Sequence, residues 1–296
     1  MAISKVAIVS PGDMGHSVGR ILSENGFEVS TCLNGRSERT KRLAYSSKFR
    51  IAETYNELVA HSDLFLSILP PDSADGLVDE ITAILRQARK QKPFYFADCN
   101  AVSPFKAINM ATKINNAGGK FIDAGIIGTS PDKGDIPRFY VSGPEANIMN
   151  ALDGCGISVK VMGDKVGQAS AIKMCYAALT KGTNTLQIAL LLAAQKMGVL
   201  DSLKNELESS QKKYFVAMEK NLPALPANAH RWIGEMQEIA QTFQKLGITP
   251  LFHEGSEEIY KLLLKSSFAK ETPENIDLDR TVWEMIESLG VLLKNN

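Results

Sequence analysis

The 296-residue chain has no excess of either charge, with 33 Lys and Arg against 33 Asp and Glu. A chain without a net field has little to draw it to a polyanion, so no nucleic-acid partner is expected. Long apolar runs are missing too. The longest, Ile188 to Ala194, falls far short of the ~20 residues a bilayer requires, so no membrane span is expected. Cysteine is scarce, and Cys32, Cys99, Cys155 and Cys175 form neither a metal-ligand spacing nor a paired framework. No cluster of His, Cys and acids suggests a metal, and a reduced, cytoplasmic setting is expected. No secretory leader is apparent, because Met1-Ala2-Ile3-Ser4 enters the first apolar run directly. Neither an internal repeat nor a low-complexity tract is present. The one basic run, Arg86 to Lys92, falls where a helix should end, and cations suit that end of the helix dipole.

What is present begins with Lys5 to Phe27. Val6 to Val9 reads as a buried parallel strand that runs into Ser10-Pro11-Gly12-Asp13-Met14-Gly15. Met14, Val18, Ile21 and Leu22 then recur at helical spacing, and Asn25-Gly26 stops the helix before a second apolar run, Phe27 to Leu33. Strand, glycine turn, helix and strand form the context in which such a turn binds a dinucleotide. Gly12 lets backbone approach a pyrophosphate, Gly15 lets helix pack on strand, and the helix N-terminus offers N–H groups to the anion. Ser10 stands where the usual pattern has its first glycine.

An NAD site usually has Asp or Glu at the far end of the second strand. Here that end reads Cys32-Leu33-Asn34-Gly35-Arg36-Ser37, without an acid. Arg36, Ser37 and Asn34, with Arg39 nearby, suit a 2′-phosphate, so NADP is expected over NAD. A solvated basic turn is the other reading of these residues.

Strands and helices alternate to about residue 163. Helices are expected at Arg36–Tyr45, Tyr55–His61 and Ser73–Gln91, and from Ser103-Pro104, which supplies a cap and an N1 proline. Strands are expected at Leu64–Leu69, Phe94–Asp98, Lys120–Ile126, Arg138–Ser142 and Ile157–Met162. The pattern reads as an α/β, Rossmann-like domain over 1–163 with an open parallel sheet. An all-α domain over 164–296 follows, with helices at 167–197, 201–220, 228–246, 255–266 and 278–293, and a loop from Leu222 to Asn228. Leu278, Val282, Met285, Ile286 and Leu289 are expected to share one face of the last helix. The first of these helices is apolar nearly all round between Leu186 and Ala194, so a second subunit is expected to cover it and a homodimer to form through this half.

Ligands of open parallel sheets bind beyond the carboxyl ends of the strands. The glycine turn, Leu69-Pro70-Pro71, Asp98 to Pro104 and Asp123 to Ser130 all fall there. Small residues in the last piece offer backbone N–H groups to a carboxylate or a phosphate. On the long helix, Lys173, Tyr176, Ala177, Thr180 and Asn184 follow one face. Lys173 sits in an otherwise apolar turn. It is either a cleft lysine poised for proton transfer or one that snorkels to solvent.

At this point the chain resembles a family, the β-hydroxyacid dehydrogenases, which include 6-phosphogluconate dehydrogenase and the imine reductases. The glycine turn with Met14-Gly15, Asn34-Gly-Arg36-Ser37, Leu69-Pro70, Asp98 to Pro104, Asp123-Ala124 and Gly167 to Lys173 match family blocks in order and at the family's spacing. Arg231-Trp232-Ile-Gly234-Glu235-Met236 is similar to a pattern of poorly characterised members. The resemblance implies a Rossmann-like domain, a helical domain and a dimer. It implies a catalytic role for Lys173, which passes a proton to or from the substrate oxygen as hydride moves at the nicotinamide. Asn100, Val102 and Ser103 match the loop beside the nicotinamide, with Leu69, Pro70 and Pro71 also on the cofactor side.

On the substrate side the chain departs from the family. The loop D-A-P-V-S-G-G is here Asp123-Ala-Gly125-Ile-Ile127-Gly128-Thr129, so its serine has become Ile127. The Asn four residues after the lysine is Ala177, while Tyr176 fills the place of a 6-phosphogluconate dehydrogenase histidine. The later Lys-Asp pair appears as Gly234-Glu235, and His230 is a further candidate for the cleft. The expected function is an NADP-dependent oxidoreductase acting on a small, carboxylate-bearing hydroxy compound and its carbonyl. Lys173 is the expected general acid/base, with Tyr176 assisting. An imine reductase and a non-catalytic NADP-binding redox sensor are the alternatives. His16 lies either near the pyrophosphate or in solvent, whereas His61 and His253 read as structural.

Overall fold

In a computed structural model that describes residues 3–87, 92–272 and 274–293, the chain divides into two compact units, Met1–Met174 and Cys175–Asn296. The first contains β1 (Lys5–Val9), α1 (Asp13–Glu24), β2 (Glu28–Cys32), α2 (Glu38–Ser46), β3 (Arg50–Ala52), α3 (Tyr55–His61), β4 (Leu64–Ser67) and α4 (Ala74–Gln87). It continues through β5 (Tyr95–Asp98), α5 (Pro104–Asn116), β6 (Lys120–Ile127), β7 (Arg138–Ser142) and β8 (Ser158–Gly163) to the start of α6 (Gln168–Lys196).

Side chains of a strand alternate between faces, and β1 uses both. Val6 and Ile8 enter one hydrophobic cluster and Ala7 and Val9 the other. A strand buried on both faces must be apolar throughout, which is why the first run carries no polar alternation. The sheet order is β3-β2-β1-β4-β5-β6-β7-β8. Val9, Ser67, Asp98 and Asp123 are consecutive register partners across β1, β4, β5 and β6. The four loops expected to carry chemistry therefore leave one edge of the sheet side by side.

Two readings of the first unit need correction. The sheet is parallel from β3 to β6, but β7 runs antiparallel to β6 and β8 parallel to β7. The connection from Ile127 to Arg138 holds only a short 3-10 turn at Pro131–Lys133 and no crossover helix, so the chain doubles back. The three-residue β3 was also missed, being too short to show a period. The basic run cannot be followed through, because 88–91 lie outside the described residues; α4 itself is described to Gln87.

In the second unit, α6 continues and is followed by α7 (Leu200–Ser210), α8 (Lys212–Asn221), α9 (Leu225–Lys245), α10 (Leu251–Leu264) and α11 (Val282–Leu292). The helix expected at 201–220 breaks at Gln211, whose φ of −130° is not helical. Ser209 and Ser210, which compete for backbone hydrogen bonds, precede the break. The expected loop at 222–228 is half helix: α9 starts at Leu225 with Pro226 in its first turn, where the missing N–H costs nothing. In the last helix Leu278 does not share the buried face. It is 92% exposed, and the helix starts later, at a Thr281–Glu284 capping box. α9 and α10 pack through Trp232 on Tyr260 (centroids 5.3 Å apart) and Phe243 on the edge of buried His253 (4.7 Å). His61 bonds Glu28 at 2.5 Å, a structural place like that of His253. No helix among the described residues is long and apolar enough to cross a membrane.

Candidate active site

The glycine turn is built by two different needs. A Cβ on Gly15 would lie 2.2 Å from the Ser10 carbonyl oxygen, so only glycine lets α1 pass this close to the end of β1. A Cβ on Gly12 would meet nothing within 4 Å, so there glycine leaves open space above the backbone. Gly12 is the N-cap of α1 and contributes no side-chain cap, which leaves the first-turn N–H groups to an incoming anion. Ser10 closes the turn through its backbone, donating to the Ile68 carbonyl (3.1 Å) and accepting from Gly12 N–H (2.8 Å). Asp13 pairs with Arg39 at 2.5 Å. Half-buried His16 spans 2.9 Å contacts to the Gly12 carbonyl and to Asp132, so it ties the loop after β6 to this turn. Met14 packs against the core.

Beyond β2, Asn34 donates to the Glu53 carbonyl (2.7 Å), and Ser37 caps α2 by accepting from Thr40 N–H (3.3 Å). Arg36 donates to the Tyr55 hydroxyl at 2.7 Å, and its Nε is buried with no partner among the described residues. An orphaned donor of this kind and the open cradle at Gly12 both fit a bound dinucleotide.

The loop after β5 is held by Asn100. Its Oδ1 accepts from Leu69 N–H (2.5 Å), and its Nδ2 donates to Ser67 Oγ (2.8 Å) and Asp98 Oδ1 (2.5 Å). This side chain is spent on joining β4 to β5. Val102 is fully buried, and Ser103 caps α5 by accepting from Lys106 N–H (3.3 Å). Pro70 is exposed and Leu69 half-buried, while buried Pro71 opens a 3-10 turn whose first carbonyl accepts from Lys106 Nζ (3.0 Å).

Asp98 is fully buried, and its carboxyl is pushed up to about 7, chiefly by burial and then by Asp123 opposite it on β6. The native state thus keeps a proton that the unfolded chain, with a reference near ~3.9, gives up. This contribution to stability is complete below about pH 4 and is lost as the pH rises towards about 7. Asp98→Asn is neutral throughout. Its stability relative to the parent should rise across this window, by up to about 1.4 kcal/mol per pH unit. Urea unfolding across the range measures the difference, and a pH-independent difference would refute the assignment.

Asp123 reaches from β6 under the start of α6. Its carboxylate accepts from the backbone N–H groups of Gly167 (2.8 Å), Ala169 (3.0 Å) and Ser170 (3.1 Å) and from the hydroxyls of Ser142 (2.8 Å) and Ser170 (2.5 Å). It caps a helix whose own sequence offers no capping side chain before Gln168. A Cβ on Gly125 would come within 2.8 Å of the Ala169 carbonyl and 2.9 Å of Lys173 Cβ, so glycine sets how closely α6 crosses β6. One turn into α6, half-buried Lys173 donates from Nζ to the Ile126 carbonyl at 2.8 Å. Its ammonium is thus held at the end of β6, beside buried Ile127 and the exposed Gly128-Thr129 turn. The turn's donors are partly taken: Asp135 accepts from Thr129 N–H at 2.8 Å, an internal carboxylate where an external one was expected. On α6 beyond Lys173, Tyr176 is 46% exposed and Ala177 is buried.

Within the second unit, half-buried Lys181 and buried Glu235 form an ion pair at 3.1 Å, with the Lys181 ammonium 5.7 Å from the centre of the Trp232 ring. Tyr260 donates to the Lys181 carbonyl (3.4 Å). Sequence reasoning named Glu235 and passed over Lys181. The available signal was a second lysine on the Lys173 helix two turns on, without which a buried glutamate has no counter-charge. His230 is exposed. Among the described residues no cluster of His, Cys, Asp or Glu could hold a metal ion.

With this geometry in place, comparison with known proteins is decisive for the family. Residues 5–163 match the NAD binding domain of 6-phosphogluconate dehydrogenase. The chain belongs to the β-hydroxyacid dehydrogenase family. Members of this family are NAD(P)-dependent oxidoreductases, and the present chain is an NAD-binding oxidoreductase of the 3-hydroxyacid dehydrogenase type. Residues 194–263 match a domain of unknown function, the region holding the Arg231 to Met236 pattern. An uncharacterised 28.5 kDa protein of Methanothermus fervidus is 30% identical over 217 residues, covering 73% of this chain and 81% of that one. A solved protein of unknown function, described as similar to 3-hydroxyacid dehydrogenases, is 26% identical at a TM-score of 0.65, over 88% of this chain and 96% of its own. The Mycobacterium tuberculosis 3-hydroxyisobutyrate dehydrogenase with L-serine shares the fold at 17% identity and TM-score 0.68, over 99% and 100% of the two chains. An imine reductase of Myxococcus stipitatus in complex with NADP+ shares it at 18% and 0.53, over 91% and 97%.

Proposed function

We propose that this family member is an NADP-dependent reductase or dehydrogenase acting on a small, carboxylate-bearing hydroxy compound and its carbonyl, with Lys173 as general acid/base. The observation that carries the reading is the placement of Lys173. Its ammonium is aimed at the end of β6 by a helix whose start is anchored by Asp123. The α1 N-terminus and the Gly12 cradle would hold the pyrophosphate, and Arg36 with Ser37 the 2′-phosphate. A bound nicotinamide supplies or accepts the hydride. Lys173 gives a proton to the substrate oxygen as negative charge develops there during reduction, and takes it back during oxidation. Tyr176, on the next turn of α6, assists. Within the first unit, Ser103, Ile127, Gly128 and Thr129 are proposed to face the substrate. Ile127 in place of a serine favours a less polar substrate than those of the family's usual members.

A C=N reductase is the second enzyme reading, favoured by the likeness to the imine reductase; the retained lysine favours C=O. A non-catalytic redox sensor remains the third reading, and it would not need a lysine held at this place. A homodimer through the helical half is also proposed. Leu186 (65% exposed), Met197 (69%) and Phe252 (74%) are large apolar side chains left at its surface. Light scattering should give twice the chain mass, and a monomer would refute it. The free cysteines suit the proposed cytoplasmic setting.

The test is thermal shift with NADP+, NADPH, NAD+ and NADH in parallel. A ligand bound by the folded state raises the melting temperature with its affinity. Stabilisation by the phosphorylated pair alone is the expected result. Stabilisation by NAD+ or NADH alone would overturn the cofactor choice, and no shift with any of them would overturn the function.

A further inference from the structure

Arg36 lies just past the Asn34-Gly35 turn that ends β2, and a guanidinium at a solvated turn would ordinarily be free to swing. Here it is not. Nη2 donates to the Tyr55 hydroxyl at 2.7 Å. Tyr55 is the first residue of α3, whose N-terminus is fixed by Thr54 accepting from Glu57 N–H at 3.2 Å. The Tyr55 ring packs against the hydrophobic cluster below it, so the phenol is held at both ends. Burial raises the phenol above its ordinary pKa, with Arg36 pulling the other way, so its hydrogen is retained.

A phenol that accepts from a guanidinium still has one hydrogen to give. Nothing among the described residues takes it, and the buried Arg36 Nε is likewise without an acceptor. Two oriented donors with no acceptor between them describe a place for an anion with several oxygens. A neutral hydroxyl meets them with one uncharged oxygen, whereas a phosphate brings several charged ones.

We propose that Tyr55 is a specificity-determining residue: it fixes the Arg36 guanidinium and adds its own O–H, so that a phosphomonoester on the adenosine ribose is preferred to a bare 2′-hydroxyl. This rests on the NADP reading above and extends it to a residue of another element. Nothing in the local sequence marks Tyr55, since it lies beyond β3 and far from the glycine turn.

Binding of NADP+ and of NAD+ by calorimetry to the parent, Tyr55→Phe, Arg36→Ala and the double variant tests it. Tyr55→Phe removes one oxygen from a packed ring and should leave the fold intact. It should weaken NADP+ binding about tenfold, as expected for losing hydrogen bonds to a charged group, while NAD+ binding stays within about twofold. In the Arg36→Ala background the same change should do less, because the guanidinium it fixes is gone. Equal weakening of both nucleotides, or unchanged NADP+ binding by Tyr55→Phe, overturns the role of Tyr55 while the cofactor reading stands. A parent that binds NAD+ as tightly as NADP+ overturns both.

Discussion

Lys173→Ala should lower kcat by about 10²–10⁴ on any aldehyde or keto acid the parent reduces, the range for removal of a general acid/base. Its affinity for NADPH should not change. The bonds that hold the glycine turn run through Ser10, Gly12 and Ile68, and the one that holds Arg36 runs through Tyr55. Lys173 Nζ donates to the Ile126 carbonyl, and its Cβ lies close over Gly125, where α6 crosses β6. Turnover and cofactor binding are therefore separable. Steady-state rates together with NADPH titration by fluorescence measure both. A variant that keeps its rate would end the proton-transfer mechanism. A carbonyl enzyme whose rate and NADPH affinity fall together would mean that Lys173 is structural. Lys173→Met, which keeps most of the apolar stem, should behave like alanine if the ammonium is what matters.

Asp123→Ala should cost about 3–5 kcal/mol of stability and lower the melting temperature by roughly 10 °C. The magnitude follows from what the carboxylate leaves behind. Three backbone N–H groups and two hydroxyls lose their acceptor in a place water does not reach, since Asp123, Ser142 and Ser170 are all fully buried. Ser170→Ala removes one of those donors and keeps the cap, so it should cost only about 1 kcal/mol. Thermal melts of the two variants beside the parent decide the matter. An Asp123→Ala protein that melts with the parent would show that the α6 N-terminus finds other partners. The same substitution should also reduce turnover, because Lys173 is carried by the turn that Asp123 anchors.

Much of the first unit was legible for a local reason. A parallel strand buried on both faces must be apolar, and a dinucleotide turn must be glycine where backbone meets backbone. Val6 to Val9 and Gly15 obey both constraints within ten residues of chain. Tyr55–His61 and Arg138–Ser142 were read to the residue because Thr54, a polar N-cap, and a β-rich run bound them sharply. Misreadings fell where sequence carries no such mark. The direction of β7 depends on how the chain turns after Ile127, and a loop of ten residues with a short 3-10 turn does not announce which way the next strand runs. Leu278 continued the period of the last helix in sequence, but the Thr281 cap starts the helix after it.

The site divides in the same way. Sequence could single out Lys173, Arg36, Gly12 and Gly15 as candidates because each is marked by its immediate neighbours or by the family's spacing. It could not say that Asn100 spends its amide on Leu69, Ser67 and Asp98, or that Asp135 takes the Thr129 N–H. Nor could it foresee that Tyr55 holds Arg36, that Lys181 answers Glu235, or that Asp123 caps α6 from 44 residues away. Those partners meet only when strands come into register and helices cross. The sequence by itself determined the fold class, and it carries the glycine turn and the lysine on which the proposed function rests. The tertiary structure alone decided what orients them, because hydrogen bonds between distant residues leave no period in the chain.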